Sequence, residues 1–153
     1  MKKDFKDISK ENVVMTMMDE KQKTLKGYEQ EEQTRLDQTA TEDLDNKQYE
    51  SKSEETMAEM NFLSKNIEIL EKEISAIKQV ELDSVHKEVD FGSLVQTSLG
   101  NLMVCTAQEE FEVNGVKFVG VSMRSPVFIA MKGLKAGSSF DVNGATHKVL
   151  DLK

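Results

Sequence analysis

Acidic residues cluster at one point of the chain, where their oxygens could bind a divalent cation. Residues 41–55 read TEDLDNKQYESKSEE, and six of these residues are acids, with Glu42, Asp43 and Asp45 lying within four positions. Mg²⁺ takes one or two protein carboxylates and keeps several of its waters. Three side chains are too few for a closed site. The stretch is therefore interpreted either as a solvated turn or as a set of carboxylates that completes a metal site supplied by another macromolecule.

Other residue types that could do chemistry form weaker patterns. His86 and His147 are distant in sequence and lack partners at metal-ligand spacing, so we expect ordinary surface or strand histidines. Cys105 lies in the apolar segment 102–107, which predicts a buried structural thiol rather than a nucleophile. No Ser-His-Asp order or glycine-rich phosphate loop is present, and the nine methionines are expected to pack in the core.

Composition excludes several classes of protein. The chain has 153 residues and a net charge of −8, which argues against general binding to duplex nucleic acid. A single cysteine cannot form an internal disulfide, and the opening MKKDFKDISK lacks the apolar run of a signal peptide. No stretch approaches the roughly 20 apolar residues that span a bilayer. We therefore expect a soluble, cytoplasmic protein that does not associate with membranes.

The chain has two parts of different composition. Seven of the eight glycines and the only proline lie after residue 91, which indicates a change from continuous helix to turn-rich structure. The acidity is concentrated between Tyr28 and Glu59, where 11 acids face only three basic residues. We predict a helical domain over residues 1–84 and a second domain over residues 89–153.

Heptad spacing in the first part predicts a hairpin of two helices. The second helix has apolar residues at alternating spacings of three and four: Met60, Leu63, Ile67, Leu70, Ile74 and Ile77. The first has a weaker series with two charged members: Val14, Met18, Lys21, Leu25, Tyr28 and Glu32. Neither face is rich enough to stand alone, so we predict an antiparallel coiled coil that turns near residues 40–48. Its tip then lies near residues 41–49.

The second part has the pattern of an antiparallel sheet. Short alternating or apolar segments are separated by turn residues, and two Asn-Gly pairs, at 114–115 and 143–144, favour tight hairpins. Residues 125–131 read as a short helix because Ser125 suits the N-cap, Pro126 the first position and Gly133 the end. The predicted fold class is α+β, with a helical hairpin followed by an antiparallel sheet and one short helix.

From Val89 onward the sequence resembles the C-terminal domain of bacterial Gre transcript-cleavage factors. The matching segments are VDFGSLV at 89–95, SMRSPVFIA at 122–130, Lys132-Gly133, Gly137, and the closing Asn143-Gly144 hairpin with VLDL at 149–152. The order and spacing of these segments together carry the resemblance. The acidic helical hairpin in front is similar to the family's other domain, so the resemblance covers nearly the whole chain.

The resemblance implies a fold and a mode of action. It implies an FKBP-like C-terminal domain that docks on RNA polymerase through Ser122, Ser125 and Pro126, at the mouth of the secondary channel. The coiled coil then enters the channel, where Glu42, Asp43 and Asp45 help to hold a second Mg²⁺ in the polymerase's own active site. The polymerase remains the enzyme, nascent RNA is contacted only indirectly, and the factor acts as a monomer without a cofactor of its own.

Departures from the family pattern leave alternatives open. Family tips resemble G-D-L-K-E-N-A-E-Y, whereas the segment from Asp43 to Tyr49 is one residue shorter, so the second carboxylate falls on Asp45 or on Asn46. Gly137 is followed by Ser138 instead of aspartate, and no basic patch is evident on the acidic arm. A relative that binds the channel without stimulating cleavage is the main alternative. A prolyl isomerase and a dimeric coiled-coil adaptor are alternatives of other classes.

Overall fold

The computed structural model describes the backbone of residues 3–42 and 49–153, and the side chains of residues 3–38 and 54–153. The elements in chain order are a 3-10 helix (Phe5–Asp7), helices α1 (Lys10–Glu42) and α2 (Tyr49–Lys78), strands β1 (Leu94–Thr97), β2 (Gly100–Val104), β3 (Gln108–Val113) and β4 (Val116–Val121), helix α3 (Pro126–Met131), and strands β5 (Ser139–Val142) and β6 (Ala145–Leu152). The predicted fold class, a helical hairpin followed by a sheet with one short helix, is confirmed.

The chain divides into two compact units that differ from the domains predicted at 1–84 and 89–153. One unit, called here the sheet unit, contains Met1–Asp19 and Ser75–Lys153, and the other, called here the hairpin unit, contains Glu20–Ile74. The first part of α1 and the end of α2 thus belong to the sheet unit. The reason is packing, because apolar residues before Asp19 and after Ser75 cover one face of the sheet.

The hairpin unit is held together by pairs that run antiparallel. Lys21 on α1 forms an ion pair with Glu73 on α2, and Arg35 pairs with Glu59 farther along. As the residue number on α1 rises, the number of its partner on α2 falls, which defines an antiparallel pair of helices. The predicted heptad positions of α2 within this unit are buried or half-buried: Met60, Leu63, Ile67, Leu70 and Ile74. The predicted seam is confirmed.

Charged residues occupy part of this seam. Lys21 is only 9% exposed, although lysine is almost never buried without a partner. Its ammonium group pairs with the Glu73 carboxylate, and Ser64 donates a hydrogen bond of 3.2 Å to Glu32 on the neighbouring helix. A polar residue at a coiled-coil core position costs stability but specifies the register of the two helices. The hairpin therefore gains a defined register from a seam that is poor in apolar groups.

The sheet has six strands in the order β3-β4-β2-β1-β6-β5, and one pair differs from prediction. Four neighbouring pairs are antiparallel, whereas β2 and β4 are parallel. The prediction of a purely antiparallel sheet is wrong at this pair. The segment after β2 crosses to the edge of the sheet and forms β3. The Asn114-Gly115 hairpin then leads into β4, which lies between β3 and β2. The consecutive strands β2 and β3 are therefore not neighbours in the sheet.

Gly120 allows this crossing. A Cβ at this position of β4 would lie 2.5 Å from the carbonyl oxygen of Thr106, 2.6 Å from Cβ of Gln108 and 2.7 Å from Cε of Met17. Thr106 lies in the segment that leads from β2 into β3, and Gln108 is the first residue of β3. A backbone oxygen and a Cβ cannot yield as the end of a flexible side chain can. Any side chain at residue 120 would therefore push the crossing segment away from β4.

Both faces of the sheet carry a core. On one face Phe118 of β4 lies 6.5 Å from the ring of Phe5 and 6.0 Å from the ring of Phe111. The cover of this face also includes residues from α1 and from the end of α2: Val13, Val14, Met17 and Ile77. On the other face, Phe128 and Met131 of α3 pack on the sheet. The short helix thus covers one face only, and the N-terminal residues cover the other.

Local sequence signals are confirmed at both predicted hairpins. Asn114 and Gly115 have φ values of 50° and 85°, and Asn143 and Gly144 have values of 52° and 78°. Positive φ at both central residues is the requirement of the tight hairpin turn that Asn-Gly favours. These turns set the registers of β3 with β4 and of β5 with β6.

The linker between α2 and β1 is anchored to the start of α1. The buried Lys10 donates its Nζ hydrogen to the carbonyl oxygen of Ser84 at 3.0 Å. The Ser84 hydroxyl in turn lies 3.1 Å from Nε2 of His86. Burial lowers the pKa of His86, and the positive charge of Lys10 lowers it further, against smaller opposing effects of Asp90 and Glu81. The linker therefore favours a neutral imidazole.

Replacing Gly120 by alanine should destabilise the protein by about 1–3 kcal/mol, the usual cost of overpacking. Gly27 provides the matched control, because it lies inside α1 and a Cβ there meets nothing within 4 Å. Gly27→Ala should instead stabilise the protein by up to about 1 kcal/mol, since alanine is the better helix former. Urea unfolding of both variants measures the two effects. Equal midpoints for Gly120→Ala and the wild type would contradict the steric argument.

The lowered pKa of His86 predicts a loss of stability in acid. The pKa lies below its ordinary value of 6.5 in the folded protein, so the unfolded chain binds the proton more readily. The contribution of neutral His86 to the stability of the folded protein is complete above pH 6.5 and is lost as the pH falls through the pKa of the folded state. His86→Gln should flatten the dependence of the urea midpoint on pH between about 5 and 7. Wild-type and variant curves of the same slope would show that His86 is not the responsible group.

Candidate functional site

The acidic tip lies outside the residues whose side chains are described. Asp43 and Asp45 fall between the last residue of α1 and the first of α2, and Glu42 ends α1 with its side chain beyond the described set. The two helices that flank them are antiparallel, as the ion pairs of the hairpin unit establish. The roles of these three acids in metal binding therefore stay a prediction.

The described parts of the two arms nearest the tip carry excess negative charge. Residues 28–38 and 54–59 contain seven acids and one basic residue, Arg35. Arg35 pairs with Glu59 and also approaches Glu31, 3.4 Å away. Its single charge offsets only one of the carboxylates around it. Clustered charge of one sign raises the local concentration of counter-ions, so this end of the hairpin favours divalent cations and repels polyanions.

Other titratable and nucleophilic groups do not assemble into a site among the described side chains. No group of three or more His, Cys, Asp or Glu there lies close enough to hold a metal ion. Cys105 is buried, as predicted, with its sulfur 4.0 Å from Sδ of Met17. His147 lies on β6, with its ring 5.8 Å from that of Phe140. None of the helices in the described part of the chain has a stretch long and apolar enough to cross a membrane.

The predicted docking residues lie together in the turn that leads from β4 into α3. Ser125 is the N-cap of α3, as the sequence indicates, and its hydroxyl accepts a hydrogen bond from the amide of Phe128 at 3.2 Å. The same hydroxyl donates to the carbonyl of Ser122 at 2.9 Å. Pro126 follows at the first helical position and is exposed. The two serines thus hold the turn in shape, and Pro126 remains accessible.

The exposure of two apolar residues, one in this turn and one in α3, was not predicted from the sequence. Met123 is 49% exposed and Ile129 is 65% exposed. The helix buries Phe128 and Met131, three residues apart, so Ile129 between them must point away from the core. Helical spacing was the available signal, but a six-residue helix offers too few positions to define its outer face from sequence. The exposed residues Met123, Arg124, Pro126 and Ile129 are called here the α3 surface.

Loss of the Ser125 hydroxyl should destabilise the protein without unfolding it. Ser125→Ala leaves the Phe128 amide unsatisfied, and loss of an N-cap costs about 1 kcal/mol. Ser125→Asp keeps an acceptor at the same place and should retain most of the stability. The midpoints of thermal unfolding of the two variants are compared with that of the wild type. Equal losses in both would mean that the hydroxyl acts through its bond to Ser122 and not as a cap.

Comparisons with family models and with curated proteins find no match. Among solved structures, the chain is similar to the transcription factor Gfh1, with 18% identity and a TM-score of 0.34 over 91% of this chain and 90% of that chain. It is similar to GreA factor homolog 1 (Gfh1) of Thermus thermophilus, with 14% identity and a TM-score of 0.33 over 95% and 94%. Gfh1 of Thermus aquaticus matches with 17% identity and a TM-score of 0.31 over 91% and 90%. At these identities and TM-scores the likenesses carry no argument about function.

Proposed function

We propose that the chain is a Gre-type factor that docks on bacterial RNA polymerase and promotes Mg²⁺-dependent cleavage of backtracked RNA. The observation that carries this proposal is the position of the acids. Asp43 and Asp45 join two long antiparallel helices on a chain whose sheet unit bears the Gre-like segments. A narrow helical hairpin is a suitable carrier for carboxylates that act inside another protein.

The proposed chemistry requires carboxylates and no catalytic residue of this chain. In two-metal phosphodiester hydrolysis, one ion activates the attacking water and the other stabilises the leaving oxygen. The tip acids would supply ligands to the second Mg²⁺ in the polymerase's active site, and the polymerase would perform the hydrolysis. Mg²⁺ retains several waters and needs only one or two protein carboxylates, so a small acidic tip is enough.

Docking is assigned to the α3 surface. The serines Ser122 and Ser125, which the resemblance associates with docking, shape the turn through their hydrogen bonds. Pro126, Met123 and Ile129 are the exposed apolar residues of the α3 surface. Exposed apolar side chains that form a contiguous patch are typical of protein interaction sites, whereas single ones are normal on any surface. We therefore infer that contact with the polymerase is made by these side chains and only supported by the serines.

A second function uses the same channel with a different outcome. The segment from Asp43 to Tyr49 is one residue shorter than the family tip. One residue of chain spans about 3 Å, enough to remove a carboxylate from a metal's coordination sphere. A tip with only one well-placed acid would occupy the channel and slow nucleotide addition instead of stimulating cleavage.

Substitution of Asp43 should abolish the stimulation of cleavage. In a halted elongation complex with Mg²⁺, the wild-type protein should shorten the nascent RNA from its 3′ end. Asp43→Asn should lower the cleavage rate by roughly tenfold or more, because changes even in the outer shell of a metal site cost about 10–100-fold. Asp45→Asn should have a similar effect if Asp45 occupies the second family position. The rate is measured by gel analysis of labelled RNA.

Two controls separate chemistry from docking. Glu55→Gln removes the same charge from an exposed position of α2 and should leave cleavage unchanged. Ile129→Asp alters the α3 surface and should weaken the binding of the factor to the polymerase. Full cleavage with Asp43→Asn would show that the assigned role is wrong. Slower nucleotide addition without any cleavage by the wild type would support the second function.

A further inference from the structure

A groove in the sheet unit is lined by residues other than those of the α3 surface. It is lined by residues 85–90 of the linker and by Lys132, Gly133 and Lys135, which follow α3, and it encloses about 520 Å³. This feature is called here the linker groove. It is open to solvent, and no described side chain fills it.

The two walls of the linker groove are joined by backbone hydrogen bonds. The amide of Val89 donates to the carbonyl of Leu134 at 2.9 Å, and the amide of Gly133 donates to the carbonyl of Val89 at 2.8 Å. Gly133 has a φ of +78°, and a Cβ added there would meet no atom within 4 Å. The linker and the residues that follow α3 are thus joined by their backbones, with free space beside Gly133.

The charge of the linker groove is opposite to that of the chain as a whole. Lys87, Lys132 and Lys135 are exposed, and none of the three forms an ion pair with any residue in the described part of the chain. Of the two carboxylates in the groove, that of Asp90 accepts a hydrogen bond from the amide of Phe91 at 2.7 Å. The groove thus carries three ammonium groups, without an ion-pair partner among the described residues, and two carboxylates, a net charge of +1 on a protein of net charge −8.

An apolar side chain is held at the rim. Val85 is 82% exposed, although the residues on both sides of it are anchored. The carbonyl of Ser84 accepts a hydrogen bond from Lys10, and the Ser84 hydroxyl lies 3.1 Å from Nε2 of His86. Because its neighbours are fixed by these contacts, Val85 is presented to solvent by an ordered backbone. An apolar group of a partner that packs on Val85 would be removed from water. The backbone at Val85 is already ordered, so binding there costs little of its entropy.

We propose that the linker groove binds an acidic peptide segment of a partner protein. Spaced carboxylates of the segment pair with Lys87, Lys132 and Lys135, and an apolar side chain of the segment packs on Val85. Glu88 and Asp90 lie among the lysines and repel closely spaced negative charges, so a peptide whose carboxylates are spaced to match the lysines is favoured over a continuous row of phosphates. The site is independent of the tip and does not require that the protein act on a polymerase.

Titration of the protein with model peptides tests the proposal. The probe is a 12-residue peptide of alternating glutamate and leucine, and amide chemical shifts are followed by NMR without any polymerase present. We expect shifts at residues 85–90 and 132–135 that weaken as salt is added. Changing Lys87, Lys132 and Lys135 together to glutamine should weaken binding about tenfold, since each exposed ion pair contributes modestly.

A matched variant and two further probes decide between explanations. Changing Lys6, Lys78 and Lys148 to glutamine removes the same charge from exposed positions of the sheet unit outside the groove, and should leave binding unchanged. Equal loss in this variant would overturn the proposal, because binding would then follow net charge alone. Equal binding of a glutamine-leucine peptide would also overturn it. Tighter binding of a 12-nucleotide oligouridylate at the same residues would identify a nucleic-acid site instead.

Discussion

The six-stranded sheet is apolar on both faces, and each face requires a cover that excludes water. Helix α3 is six residues long and covers only one face, through Phe128 and Met131. The other face is closed by residues from the two ends of the helical region, including Phe5, Met17 and Ile77. This requirement explains why the sheet unit contains residues 1–19 as well as 75–153. The part of α1 that covers this face also anchors the linker, because Lys10 donates a hydrogen bond to the carbonyl of Ser84.

The hairpin unit follows a different principle. Its helices are rich in charge and poor in large apolar residues, so burial alone provides limited stabilisation. Ion pairs such as that of Lys21 with Glu73 add little net stability, but they restrict the ways in which the two helices can pair. A defined register matters for the proposed function, because it sets which residues stand at the reversal. The excess of acids near that end favours cations and agrees with the proposed role of the tip in holding Mg²⁺.

The sequence indicated the candidate site only in part. It drew attention to Glu42, Asp43 and Asp45 through their clustering between two heptad patterns, and to Ser125 and Pro126 through their suitability as the start of a helix. It did not indicate Met123 or Ile129, since an apolar residue in a short helix faces the core or solvent according to contacts that lie far away in sequence. It also did not indicate the linker groove. Lys87 is 45 residues away from Lys132, and only folding brings their segments together.

The sequence by itself determined the elements that depend on interactions between residues close together in the chain. The Asn-Gly turns follow from the tolerance of asparagine and glycine for positive φ, the start of α3 from the hydrogen-bonding side chain of Ser125, and the seam of α2 from helical geometry. Tertiary structure alone decided the parallel pairing of β2 with β4, the cover supplied by Phe5, and the need for glycine at position 120. Each of these depends on contacts between segments distant in the chain. Such contacts are selected by the burial of apolar faces, which local sequence does not encode.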